Sequence, residues 1–502
     1  MTDPNTAFLT DSKSDATPDP KTASLSHATP MSHARIEQFF TPGLAQYAYL
    51  IASGNEAVVL DPMRGDSRYV DYAAAHGLRI TRVLETHMHA DFASGATALA
   101  AKLGAELTVS AYAAGERFAY NMPHTPLQDG ERIRVGQLEI EALHTPGHTP
   151  EHMSYALYDL EQAPETPQAL FSGDFIFSGS LGRPDLLGVE AEVGLAQALY
   201  RSLHQRIAHL PDSVRIYPGH GAGSLCGAGI GTQSETTLGQ ERLTNPLYRL
   251  NKEAFVHEIL AIVPPMPAYY PRMKDLNSIG ATAIETLPLP QALTAAEIAA
   301  LDLSQNVLVD LRSVEDFAAG HISGAINLGA GTNLPLWAGW LLDPKISLIL
   351  ITEDGSDDPA SRLALARVGL EHVTGYLQGG MTAWRGAHRP EKQIKLRSAS
   401  QVEDERSKAG TGKALLLDVR HDKEWKTGHI DGAQHIRLDH LREQLPSLPK
   451  DRPIVAICQG GYRASIAASL LSDAGFNDVS LLVGGMNAWN QLKGVQTKAV
   501  CV

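Results

Sequence analysis

The stretch Glu85–Gly95 reads ETHMHADFASG: it sets His87, His89 and Asp91 on one loop and follows them with Phe92. An apolar run, ITRVL, leads into it. Imidazole and carboxylate are the ligands of borderline metals, so the loop reads as half of a metal site with an inert ring set among its ligands. The other half lies downstream in the same setting: His148 in HTPGHTPEH, Asp174 in FSGDFIF and His220 in YPGHG. The strand-like runs AVVLDP, LEIEALH, ALFSGD and VRIYPGH each end at a His or Asp. Polar groups that collect where apolar strands stop are how α/β sheets build binding sites, on the loops outside strand ends. A glycine beside several of them permits the tight turns that aim side chains inward. One histidine among 20 is ordinarily a surface or satisfied core residue, whereas an ordered set at strand ends points to ligation.

At 502 residues the chain calls for two to four domains, given roughly 100–200 residues per domain. Its 43% hydrophobic and 20% charged residues are those of an ordinary globular protein. No window approaches the roughly 18 unbroken apolar residues of a membrane span. Residues 1–33, rich in Thr, Ser, Asp and Pro, lack a basic start and an apolar stretch, so a disordered tail is expected rather than a signal peptide. A net charge of -14 repels nucleic acid and anionic membranes. Three cysteines, Cys226, Cys458 and Cys501, make no disulfide framework and suit a reducing cytoplasm.

The second half repeats itself. VLVDLRSVEDFAAGHISGAINL from 307 matches LLLDVRHDKEWKTGHIDGAQHI from 415, an offset of 415 - 307 = 108, and GGMTAW from 379 pairs with GGMNAW from 484, an offset of 484 - 379 = 105. Units of this size are duplicated domains rather than solenoid repeats. Short β-branched runs (VLVDL, SLILI, LLLDV, PIVAI) alternate with helical patterns such as SRLALARVG and SIAASLLSDAG, which predicts parallel strands joined by helices. The expected units cover 290–390 and 398–497, with a linker over 389–399; the Asn245–Gly280 segment is expected to be a lid or edge of the first domain.

The ordered His and Asp residues resemble the metallo-β-lactamase superfamily over about 35–285. The resemblance implies an α/β fold whose N-terminal domain, 34–285, is an αββα sandwich. Its hydrolases hold a second metal through an Asp-His pair and the last His; here the pair is Asp91-Phe92, and phenylalanine has no lone pair to offer. The persulfide dioxygenase branch is the better match. That branch implies a single Fe(2+) per chain on His87, His148 and Asp174, with open positions for substrate and O2. His89, Asp91 and His220 then orient ligands and hold water, with direct Zn2+ ligation by His89 as the alternative. Arg183, in SGSLGRPDL, is assigned to a substrate carboxylate, with an ion pair to Asp185 as its structural alternative. Tyr217 is a weaker substrate-binding candidate, and Cys226, six positions past His220 (226 - 220 = 6), is either a thiol at the pocket mouth or, the commoner case, a small buried one.

Cys458 follows the run PIVAI and opens CQGGYRASIAASLL, a glycine-containing loop that runs into a helix. Backbone N–H groups of such a loop, and the positive end of the helix behind it, converge on a thiolate; Arg463 alongside is expected to lower the thiol pKa. The loop, with Gly460, Gly461, Arg463 and Ser465, resembles that of rhodanese sulfurtransferases, in which the cysteine carries sulfane sulfur as a persulfide. Asp418, Arg420 and His429 match positions that frame that fold. In the earlier copy Thr352 stands opposite Cys458, followed by EDGSDD, so that copy forms no cysteine persulfide and is expected to be a scaffold or docking unit.

Together the resemblances imply two rhodanese-like domains behind a dioxygenase. An enzyme of that kind is expected to oxidise a thiol persulfide such as glutathione persulfide with O2 to sulfite and thiol, and to move sulfane sulfur to or from thiosulfate. No nucleic-acid or membrane partner is expected, and a homo-oligomer is. The rival reading is a glyoxalase II-type thioester hydrolase with accessory rhodanese units.

Overall fold

Each apolar run that ends at a His or Asp is a strand. A computed structural model describes residues 33–113, 119–409 and 414–494; the expectation for the N-terminal tail, apart from His33, and Cys501 lie outside the described residues. In the first sheet the strands run in the order Arg35–Thr41, Gln46–Ser53, Glu56–Leu60, Arg79–Leu84, Glu106–Ser110 and Thr125–Leu127. The second runs Thr236–Thr237, Arg215–Pro218, Ala169–Gly173, Met153–Asp159, Leu138–His144 and Arg132–Val135. Their inner faces share one core, in which Tyr49, Ile51 and Val58 meet Ile140, Tyr155 and Phe171. Helices Arg68–Ala75 and Ala96–Leu103 cover the outside of the first sheet, and Glu192–Arg201 and Lys252–Ile262 that of the second. This is the αββα sandwich, because each sheet is apolar on both faces and both must be covered.

The two repeat units fold alike. Their all-parallel sheets run Gln291–Leu293, Val373–Leu377, Ser347–Ile351, Asn306–Asp310, Ile326–Asn327 and, in the same order, Lys395–Arg397, Val479–Leu482, Ile454–Ile457, Leu415–Asp418, Gln434–His435. The linker expected over 389–399 is corrected here: Lys395–Arg397 pairs in parallel with Ser480–Leu482 as an edge strand of the second copy. Of the two alternatives for Asn245–Gly280, lid or edge, the structure favours the edge. The Pro- and Tyr-rich run enters a helix, Tyr270–Ile279, with proline in its first turn, where a missing N–H costs nothing. Tyr270, Met273, Lys274 and Asn277 of this helix are buried, with Tyr270 and Met273 in one core with the first repeat unit, so it is an edge of the first domain covered by the next one. Among the described residues no helix is long and apolar enough to cross a membrane.

Candidate functional site

The metal loop follows strand Arg79–Leu84, and the other predicted ligands arrive from the loop before strand Met153–Asp159 and the ends of strands Ala169–Gly173 and Arg215–Pro218. His87, His148 and Asp174 present one ligand atom each, all within 4.8 Å of one another and all buried. Nε2 of His148 lies 3.4 Å from Asp174 Oδ2, and Nε2 of His87 lies 3.8 Å from it. The far nitrogens fix the tautomers. Thr86 Oγ1 donates its one proton to Asp61 Oδ2 (2.8 Å), so at 2.9 Å it accepts from His87 Nδ1–H. The carbonyl of Arg183, 2.9 Å from His148 Nδ1, can only accept. Both Nε2 lone pairs are therefore left for the centre of the group. Burial first, then neighbouring imidazoles, holds both histidines well below the usual imidazole range, in the neutral form a metal needs. His87 Nε2, His148 Nε2 and Asp174 Oδ2 have no hydrogen-bond partner, a costly arrangement unless a cation is the partner. The residues fit a bound metal, with open positions beyond the three protein ligands.

Asp174 is held from several sides. Its Oδ1 lies 2.7 Å from His220 Nδ1, and Nε2 of His220 lies 2.8 Å from Asp91 Oδ2. Burial opposes charge on His220, but Asp174 and Asp91 outweigh it and raise its pKa well above the ordinary value. The Asp174 N–H donates to His152 Nε2 at 3.1 Å, and His152 Nδ1 meets Thr145 Oγ1 at 3.0 Å; burial takes His152 to about 3. Gly173 precedes Asp174 with φ +50, and a Cβ there would come 2.6 Å from Thr86 and 2.7 Å from His152, so only glycine fits.

His152 sits in the same HTPGHTPEH string as His148, four positions on, yet sequence reasoning passed it over. Asn277 was also missed. It accepts from the Ser94 N–H and donates to the carbonyls of His89 and Phe92, each at 2.8 Å, while Tyr269 donates to the Asp91 carbonyl at 3.1 Å. The helix expected as a lid or edge is thus a buttress for the metal loop.

His89 is not part of the three-residue group, although its ring lies 4.3 Å from that of His87; its Nε2 lies 3.2 Å from Asp61 Oδ1. Asp61 raises its pKa against the opposing effect of burial. The Phe92 ring is fully buried, 4.3 Å from the His89 ring and 6.4 Å from that of His220. Cys226 takes the buried alternative: it is wholly buried against Phe177 and Ile230, and its sulfur forms a second compact group with Asp91 and His220. Burial pushes its thiol well up.

Arg183 takes its structural alternative. Nε and Nη2 each lie 2.7 Å from the Asp185 carboxylate, and Nη1 donates to the Leu225 and Pro265 carbonyls, which engages the guanidinium fork without a substrate. Tyr217 stacks on Phe171 at 5.1 Å and meets Tyr49 at 5.7 Å inside the sandwich core, so it does not line the metal group.

In the second copy the loop after strand Ile454–Ile457 curls over its own sulfur: the Gly461 N–H donates to Cys458 Sγ at 3.0 Å, and Gly461 has φ +118. Arg463 does not face the thiol alone. Both its terminal nitrogens bind Glu424 at 2.6 Å, so its charge is shared with a carboxylate, and the backbone amide is the direct contact to sulfur. Ser465 donates to Asn327 Oδ1, a residue of the first copy, at 2.6 Å. Asp418 pairs with Arg420 at 2.8 Å, as Asp310 does with Arg312 at 2.7 Å, and His429 stacks on Trp425. Gly460 has open space where a side chain would stand.

Family models match accordingly: the metallo-beta-lactamase superfamily over residues 41–220, and the rhodanese-like domain over 294–387 and 399–492. The mitochondrial persulfide dioxygenase ETHE1 of Bos taurus is 30% identical over 224 residues, which are 44% of this chain and 78% of that one. A hydroxyacylglutathione hydrolase of Polaromonas is 36% identical over 177 residues, 35% of this chain and 61% of its own. The crystal structure of a metallo-beta-lactamase from Staphylococcus aureus aligns with TM-score 0.62 and 35% identity, covering 69% of this chain and 99% of that one. A two-sheet sandwich with a buried His-His-Asp group, followed by two copies of one parallel-sheet unit, agrees with both models. The chain belongs to the metallo-beta-lactamase superfamily, among relatives that include persulfide dioxygenases, and carries two rhodanese-like domains behind its metal-binding domain.

Proposed function

We propose that the first domain oxidises the terminal sulfur of a low-molecular-weight thiol persulfide with O2, and that Cys458 carries sulfane sulfur to or from thiosulfate. The observation that supports this most is the pairing of a buried, unpartnered His-His-Asp group, beside a loop whose Phe92 offers no lone pair, with a thiol loop whose backbone amide faces sulfur. A ferrous iron on His87, His148 and Asp174 would supply the redox chemistry that O2 requires. The protein's own part is to fix the tautomers of both imidazoles through Thr86 and the Arg183 carbonyl, to keep them neutral and exclude water by burial, and to fix Asp174 through His220 and His152. Overall, R-SSH, O2 and water give R-SH, sulfite and two protons. At the second site the Cys458 thiolate attacks the outer sulfur of thiosulfate; the S–S bond breaks, sulfite leaves with the electron pair, and the persulfide anion is held by the Gly461 amide. Glutathione persulfide is the substrate we would offer first. A cytoplasmic setting suits the few cysteines, and we expect a homo-oligomer.

One observation favours a thioester hydrolase instead: Asp91, His220 and Cys226 form a second compact group. Metal analysis separates the readings. The purified chain should hold one iron per chain and leave acylglutathione intact; two zincs with thioester hydrolysis would sink the dioxygenase reading.

A further inference from the structure

We propose that the thiol-free rhodanese copy is a frame that positions both chemical loops, with Glu371 acting on the metal loop and Asn327 on the thiol loop. The claim rests on the roles proposed above, but its readouts need no turnover.

On one side, the turn that follows helix Pro359–Ala366 grips the sandwich domain. The Arg367 carbonyl accepts from the Ala93 N–H at 2.7 Å, inside the metal loop itself. Arg367 Nε donates to the Arg64 carbonyl at 3.0 Å, and the buried Arg64 guanidinium returns to the Ala366 carbonyl at 3.1 Å and to Glu371 at 2.5 Å. Its other donors reach Thr282, and Arg272 of the buttress helix donates to the Val368 carbonyl at 2.7 Å. The Arg64 side chain is fully buried and satisfied on every side, which holds it rigid, while its partner Glu371 stays 29% exposed. The backbone between Asp91 and Gly95 is therefore tied to the first copy on one side and to Asn277 on the other.

On the opposite side, strand Ile326–Asn327 of the same copy meets helix Tyr462–Asp473, which starts at the end of the thiol loop. Tyr462 donates to the Leu328 carbonyl, Ser465 donates to Asn327 Oδ1 at 2.6 Å, and the Asn327 N–H donates to Ser469 Oγ at 3.1 Å. Positions 462, 465 and 469 fall on one helix face. Asn327 is itself fixed, since its Nδ2 donates to the carbonyls of Asp310 and Arg312. The first turn of this helix aims the Gly461 amide at Cys458 Sγ, so its seating sets how well the thiolate is stabilised.

The test uses the full chain loaded with Fe(II). In Glu371→Gln, iron release into a chelator should quicken by about tenfold, the size of effect of groups that orient metal ligands, while the pH profile of Cys458 alkylation by iodoacetamide stays in place. In Asn327→Leu, the alkylation profile should move to higher pH with iron release unchanged, and Ser465→Ala, which removes the same contact from the helix side, should move the profile in the same direction. If Glu371→Gln does not fold, Arg367→Ala, which loses only the contact to the Arg64 carbonyl, should show a smaller quickening. Variants that melt earlier yet leave both readouts as in the unaltered chain would overturn the proposal, as would one variant shifting both readouts together.

Discussion

The two rhodanese copies share a sheet order, an Asp-Arg pair after the same strand and a glycine with positive φ before their last helix, and they part at one loop. In the first, the loop satisfies itself. Thr352 donates to the Ser356 carbonyl at 2.8 Å, and the Asp358 side chain accepts from the Ser361 N–H at 3.0 Å, capping helix Pro359–Ala366. In the second, helix Tyr462–Asp473 has no side-chain cap, and the Gly461 amide before it points at sulfur instead. A capped helix start is the stable arrangement, worth about 1 kcal/mol. Giving up the cap leaves orphan N–H groups that an anion can use. The two copies therefore differ not only in a thiol but in where the first amides of a helix are spent.

The largest effect tests the division of labour. Cys458→Ser should reduce thiosulfate-dependent sulfur transfer to background while leaving O2 uptake with glutathione persulfide intact, and His148→Ala should do the reverse. Folded variants that each lose both activities would mean that the sites are not independent.

A smaller effect distinguishes the matching GHI histidines. His321 is buried, stacked on Phe317 at 3.9 Å, and burial lowers it from 6.5 to about 4, whereas His429 stands exposed on Trp425. With its folded pKa below the unfolded one, neutral His321 contributes stability that is complete above pH 6.5 and is lost as pH falls toward 4. Urea midpoints across that window should fall less steeply in His321→Gln, with His429→Gln as the control; an unchanged slope would contradict the assignment.

The smallest effect is expected from Thr352→Cys. A thiol there would meet a loop whose amides are already taken by Asp354 and Asp358, so no transfer activity should appear in a sulfite-release assay. Activity would show that the thiol alone makes the carrier.

Much of this was legible in the sequence because strands announce themselves. A β-branched run that halts at His or Asp places that residue at a sheet end, and five such runs were enough to bring His87, His148 and Asp174 together. The duplication was legible from its offsets alone. What was illegible depends on direction rather than position. Arg183 and Asp185 are two residues apart, and only the buried, bidentate geometry shows that the arginine is occupied. Tyr217 stands beside the site in sequence, but strand alternation turns its ring into the core. Asn277 lies 185 residues beyond Phe92, whose carbonyl it binds, and no local pattern encodes that contact. That Phe92 brings no lone pair to the metal loop was readable; the buried sulfur of Cys226 close to Asp91 and His220 was not.

The account's central claim is that the His87, His148 and Asp174 group performs oxygen chemistry on a persulfide. An oxygen-electrode trace of the iron-loaded chain with glutathione persulfide tests it most directly. The account predicts O2 uptake on adding persulfide, with sulfite formed in step and no uptake in His148→Ala. A flat trace from the iron-loaded chain, or uptake that survives His148→Ala, would contradict it.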